Sequence, residues 1–174
     1  MQEPRNDSKN GKSARFVDHI LKRMESDSAI GAALRRADNP STEYQSWEYL
    51  ANWCDLDNPN ERVCYATISA GLANRKKSIT ANINLGSVIA NCYPGGNQDD
   101  SAKRKLRRLL ACESRSEACK WIRPILTLAK SKGIEINFSL LLDDLLYFGH
   151  KVKEKWAMDF YGKSKEVEND SINA

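Results

Sequence analysis

The sequence predicts an all-α protein, a helical bundle whose chain divides into two small lobes. Three observations predict it. Apolar residues recur at three- and four-residue spacing through most of the chain, the period of one helix face. Polar capping residues and Pro or Gly breaks punctuate that pattern at helix-sized intervals. Strand signals are weak: Ile134-Glu135-Ile136-Asn137 alternates, but it is short and follows a helix stop. A length of 174 residues suits one domain or two small lobes.

Taken in order, Phe16, Ile20, Leu21 and Met24 mark a first helix, with Ser13 as its cap. Ile30, Ala33 and Leu34 mark a short second helix that ends near Asp38-Asn39-Pro40. Ser41 or Thr42 caps a third, which carries Trp47, Leu50, Ala51 and Cys54 and breaks at Asn58-Pro59-Asn60. On such a helix Trp47 and Trp53 lie about 240° of rotation apart, on different faces. A fourth, rich in Ala, Ile and Leu, runs from Glu61 to about Asn74. Arg75 to Asn84 is a polar, basic loop. Leu85 to Cys92 is a short helix stopped by Tyr93-Pro94-Gly95-Gly96. Ser101 caps the next, and Ser114 or Ser116 the one after, which extends to about Ser131 and turns at Lys132-Gly133. Phe138 to Tyr147 and Lys151 to Tyr161 are the last helical segments, joined across Gly149. The expected organisation is a disordered polar N-terminus over 1–12, a helical lobe over 13–93, a linker over 94–100, a second lobe over 101–162 and a disordered tail over 163–174.

The segment Ala102 to Ala111 carries the strongest functional signal. Five cations, Lys103, Arg104, Lys105, Arg107 and Arg108, occupy six positions. At about 100° per residue, Lys103, Arg104, Arg107 and Arg108 fall within an arc of about 140°. Leu106, Leu109 and Leu110 fall on the opposite side. Like charges at i,i+4 repel by a few tenths of a kcal/mol per pair, and no Glu relieves them before Glu113. A polyanion is the simplest partner for such a face. The net charge of +4 says little, but its distribution says more. Residues 103–132 hold ten Lys/Arg against Glu113 and Glu117, whereas 133–174 hold eight Asp/Glu against five Lys. That asymmetry is the footprint of a nucleic-acid face. Arg35-Arg36, Arg75-Lys76-Lys77, and Arg115, Lys120 and Arg123 beyond the run extend the candidate set. Such contacts reach phosphates and carry no base specificity.

Other chemistry is poorly represented. The five cysteines are odd in number and lack C-x-x-C spacing, which points to buried thiols in a reducing compartment. His19 and His150 are isolated and expected at surface or turn positions, so neither zinc nor another cofactor is implied. Asp143-Asp144 is the one adjacent acidic pair inside an ordered region. Its members point about 100° apart on a helix and are expected on a solvated face. No phosphate loop, H-E-x-x-H or G-x-S-x-G occurs, so the expectation is a non-enzyme without a small-molecule substrate. The four tryptophans sit at apolar helical positions and are expected in the core. The N-terminus lacks the apolar stretch of a signal peptide and no apolar window is membrane-length, so no membrane partner and a cytoplasmic location are expected.

Three stretches carry a family resemblance: ALRRADNPSTEYQSWEYL at 33–50, NINLGSVIA at 82–90, and the run from Lys103 to Gly162. The most specific pieces are Leu106-Arg107-Arg108-Leu109-Leu110, the K-x-x-G-I-x-I-N-F turn at 130–138, and the closing W-x-x-D-F-Y-G at 156–162. Together these resemble the CasB/Cse2 family, the small subunit of the type I-E CRISPR surveillance complex, Cascade. The resemblance implies a non-catalytic helical subunit. It implies other Cascade subunits with guide RNA as partners, and the target and displaced DNA strands as ligands. It also implies self-association as a head-to-tail pair inside the complex. Family basic positions fall here on Arg36, Arg107, Arg108, Arg123, Lys151 and Lys153. Two positions depart: Ser87 stands where a basic residue often follows Leu-Gly, and Pro124 stands where a polar helical residue is usual. Pro124 is expected to kink or restart its helix and redirect Arg123. The rival reading from another class is a free-standing helical DNA-binding regulator, which would bind a specific duplex alone; a small helical enzyme ranks third.

Overall fold

The computed structural model describes residues 11–162, and within them nine α-helices and three short 3₁₀ turns account for all regular structure. The predicted tail over 163–174 and residues 1–10 of the predicted N-terminal segment lie outside the described residues. Gly11 and Lys12 lie inside them, as the cap and first residue of helix α1.

Helix α1 (Lys12–Ser26) buries Phe16, Val17 and Ile20. Ser13 does not cap it. The helix starts at Lys12, capped by Gly11, two residues earlier than a Ser13 cap would set it, and the buried Ser13 donates its hydroxyl to Asp143 Oδ1 at 2.6 Å. Helix α2 (Ser28–Arg35) is capped by Asp27, which accepts from Ala29 N–H at 2.8 Å, and ends in a 3₁₀ turn over Arg36–Asp38. The predicted third helix is largely replaced. A 3₁₀ turn over Glu43–Ser46 leads into a single α-turn, α3 (Trp47–Leu50), followed by bends. Thr42 directs its hydroxyl to the Arg36 carbonyl at 2.7 Å instead of capping. Trp53 therefore lies beyond the helix, edge-on to Phe16 at 5.3 Å, and Trp47 instead donates to Glu43 Oε1 at 3.1 Å. Glu43 is buried and also takes Arg62 Nε at 2.7 Å, which ties this irregular stretch to the next helix.

That helix, α4 (Pro59–Arg75), starts where the sequence placed a break. Asn58 accepts from Glu61 N–H at 3.3 Å, and Pro59 fits the first helical turn, where its missing N–H costs nothing. Every residue from Cys64 to Ala73 is buried, so α4 is the central rod around which the rest packs. Helix α5 (Leu85–Asn91) is capped by Asn84, and α6 (Asp100–Ala111) by Asp99 rather than Ser101. Asp99 Oδ1 accepts from Ser101 and Ala102 N–H groups at 2.7 and 3.1 Å; Ser101 lies one residue inside and accepts from Arg104. Helix α7 (Arg115–Ser131) is capped by Ser114 and runs through Pro124 without a restart. Pro124 and Lys120 are both exposed, so the carbonyl that loses its i+4 donor faces water. Helices α8 (Phe138–Leu146) and α9 (His150–Tyr161) are separate, divided by Tyr147-Phe148-Gly149 with Gly149 extended. Residues 134–137 form no strand. They are pinned to the 76–84 loop by Ile79 N–H to Ile136 O at 3.3 Å and by Asn137 Nδ2 to Ala81 O at 2.7 Å.

Helix α4 packs against α1, α2, α7 and α8, and α5 against α9. Helices before and after the 94–100 segment thus share one continuous apolar core. All five cysteines are buried and free within it. Of the tryptophans only Trp156 is wholly buried, while Trp47, Trp53 and Trp121 are half-buried. No helix among the described residues is long and apolar enough to cross a membrane.

Asp144 is not on a solvated face. It is 2 % exposed and accepts from Trp156 Nε1 at 2.8 Å and from the Lys155 ammonium. Burial pushes its carboxyl above the ordinary 3.8, against the pull of those two donors. Its raised folded-state pKa means that this group contributes most stability below 3.8 and loses it as pH rises through the raised value. Urea denaturation across acid pH should show the margin of the wild type over Asp144→Asn shrinking as pH rises. Asp144→Ala, which strands the Trp156 N–H, should cost about 1–3 kcal/mol. A flat difference between wild type and Asp144→Asn would contradict the burial described.

Candidate nucleic-acid interface

Helix α6 takes the two-faced form that its sequence predicts. Ala102, Leu106 and Leu109 are buried and Leu110 half-buried. Arg104, Arg107 and Arg108 are exposed, and Lys103 and Lys105 are half-buried at the margins. Arg108 places its guanidinium over the Trp121 ring of α7 at 4.8 Å from the centroid. The half-buried Trp121 thus packs against the core and also carries a cation on its ring. Arg115 opens α7 and is half-buried.

Helix α9 packs on α6. Lys151 is exposed, and Lys153 sits over Phe148 at 5.4 Å. Burial and the Glu117 charge raise the Cys112 thiol, and Lys153 opposes them, so Lys153 lies within electrostatic reach of the α6 C-terminus. A second convergence surrounds Cys92 at the end of α5. Burial raises that thiol, and Lys105, Lys132 and Arg75 all pull it back. Cations from α6, the turn after α7 and the end of α4 are thus each within electrostatic reach of that thiol.

The other predicted residues are placed unequally. Lys76 is exposed and caps α4 in a left-handed conformation, φ 57°. Lys77 is exposed and lies 3.6 Å from Glu135. Arg36 is exposed and bonds Gln45. Arg75 is no loop tip. It is the last residue of α4, half-buried, and donates through Nη2 to the Ile134 carbonyl. Burial pulls its guanidinium below the ordinary arginine range. Arg123 is largely buried, with Nε 3.1 Å from Asp38 Oδ1. Ser87 donates to Asp159 Oδ2 at 3.5 Å, so the position after Leu-Gly faces an acid of α9. His150 pairs with Glu154 at 3.0 Å in the open, and His19 is exposed beside Trp53. Among the described residues no three His, Cys, Asp or Glu side chains come together as a metal site.

What this arrangement can do is hold a flexible polyanion by its backbone. The open cations of α6 sit on a helix fixed by buried leucines, with the Trp121 ring beneath Arg108. A family model described as CRISPR-associated protein Cse2 matches residues 31–161. No curated protein sequence matches the chain. Among solved structures, CasB from M. ruber is similar at 25% identity, with a TM-score of 0.71 over 93% of this chain and 99% of that one. CasB from Thermus thermophilus is similar at 24% identity, with a TM-score of 0.69 over 86% of this chain and 97% of that one. A second Thermus thermophilus structure, described as a CRISPR-associated protein of the Cse2 family, gives 24% identity and a TM-score of 0.68, with coverage of 86% and 97%. At 24% identity the two Thermus likenesses carry the fold alone.

Proposed function

The chain belongs to the CRISPR-associated Cse2 family, and from that premise we propose that it is a non-catalytic small subunit of a Cascade-type surveillance complex. In this reading it works in the cytoplasm beside other Cascade subunits and guide RNA, as one of a head-to-tail pair. It stabilises the state in which guide RNA pairs with the target strand and the other strand is displaced. The observation that carries the reading is the α6 face. Its three exposed arginines are unpaired by any acid among the described residues and are backed by buried leucines.

The physics suits that task. Exchange of a DNA duplex for an RNA–DNA duplex is close to energy balance, so modest phosphate binding can tip it. A surface blind to sequence suits strands that change with each target.

The test is assembly together with salt dependence. The chain should co-purify with a guide-RNA complex, and alone it should bind single strands of any sequence weakly. The slope of log K against log salt should be about −0.7 for each phosphate contacted. Tight, salt-insensitive binding to one duplex sequence by the isolated chain would instead establish a free-standing regulator.

A further inference from the structure

Arg75 and Arg123 line a single cavity of about 110 Å³ between the Arg36–Asp38 turn, α4 and α7. A single water needs only about 10–15 Å³ by this measure. Asp38, Asn74, Thr127 and Lys130 line it too. Both arginines bring buried guanidinium nitrogens without a hydrogen-bond partner: Nη1 of Arg75, and Nε and Nη2 of Arg123. Buried charged donors left without a partner are rare and costly. Arg75 is held in place by its bond to Ile134 O, so its free nitrogen cannot turn away without breaking that contact. Asp38 lies 3.1 Å from Arg123 Nε but at an angle that makes no hydrogen bond. The wall thus carries three cations against one acid, and its two guanidinium groups come from different helices. A tetrahedral phosphate oxyanion with several oxygens is the ligand that such forks match.

We propose that this cavity is a phosphate site and that Asp38 is its resident plug, neutralising Arg123 until a phosphate oxyanion displaces the carboxylate. The exposures fit those roles. The Asp38 side chain is 43 % exposed and free to swing out, whereas that of Arg123 is 17 % exposed and stays. The site is recessed and holds a single phosphate, unlike the open α6 face. It rests on the function proposed above only for the source of that phosphate, a nucleic-acid backbone or the free anion.

Titration of the full chain with inorganic phosphate, at ionic strength held constant with chloride, tests it. Asp38→Asn should bind phosphate about fivefold more tightly than wild type, the size of one half-exposed ion pair. Asp18→Asn, which makes the same charge change at an exposed site on α1, should match wild type. Arg123→Gln should abolish binding. No phosphate binding by either wild type or Asp38→Asn would overturn the proposal, as would equal gains in Asp38→Asn and Asp18→Asn. Displacement of phosphate by a short oligothymidylate would make the source a nucleic-acid backbone, and phosphate binding that this strand leaves untouched would make it the free anion. Failure is separable from that of the functional reading. Single-strand binding that survives Asp38→Asn but falls when α6 is reversed would leave that reading standing and sink the plug if phosphate affinity had not moved.

Discussion

Gly86→Ala should destabilise the protein by about 3 kcal/mol or more, at the upper end of overpacking costs. An alanine Cβ at this position would lie 1.9 Å from the Trp156 carbonyl oxygen and 2.9 Å from Phe160 N. Those atoms are α9 backbone and cannot rotate away, so α5 and α9 would have to separate. Separation would also strain the Trp156 bond to Asp144. In urea the midpoint should fall sharply at unchanged slope. Gly149→Ala is the control: its backbone is extended, and the nearest atom, the Tyr147 carbonyl oxygen, is 3.8 Å from the added carbon. It should stay within about 0.5 kcal/mol of wild type. A wild-type midpoint for Gly86→Ala would mean that the two helices do not cross this closely.

The largest functional effect should follow reversal of Arg107 and Arg108 to glutamate. Both are exposed opposite the buried Leu106 and Leu109, so the fold should persist. Like-charge repulsion along α6 also falls. Arg108 gives up its place over Trp121, a loss of about 0.5–1 kcal/mol at an exposed site. Binding fares differently. Two attractions become two repulsions, each up to about 1 kcal/mol. The opened-duplex complex should therefore weaken on the order of a hundredfold at low salt. The salt slope should become shallower by about 0.7 for each contact removed. Guide-complementary single strands should lose less, since no duplex must be held open. Equal duplex affinity in mutant and wild type, at normal occupancy in the complex, would reduce the α6 face to a solvated surface.

Much of the fold was legible because its helices carry their own signals. Helix α6 declares both faces within twelve residues, and the Ser114 cap precedes α7 at its predicted place. Two stretches that support the family resemblance prove to be one structural unit: Gly86, in the 82–90 stretch, lies against Trp156 and Phe160 of the closing motif. The stretch from Ser41 to Cys54 was illegible for a tertiary reason. Its helical spacing is overridden by Glu43, which is drawn inward by Arg62 nineteen residues on. Asn58-Pro59-Asn60 misled because a break and a cap use the same residues. Asp144 misled because its partners lie eleven and twelve residues away on another helix. The same limit applies to the site. Charge runs mark α6, but nothing local tells that Arg75 is a brace, that Arg123 faces Asp38, or that Lys132 and Lys105 both act on Cys92.

The stack of Arg108 on Trp121 sets how quickly that cation can be used. A free arginine on a helix surface samples many rotamers and must give up most of that freedom to hold a phosphate, up to about 2 kcal/mol of side-chain entropy. Arg108 has surrendered part of it in advance, on a ring that leaves the guanidinium edge open to water. Arg107, one position away, has no such rest among the described residues. The two neighbours therefore differ in readiness rather than in charge: one waits aimed, and the other must be recruited after contact. In the proposed role, on a strand that reaches this face base by base, the aimed residue should capture first and the mobile one follow.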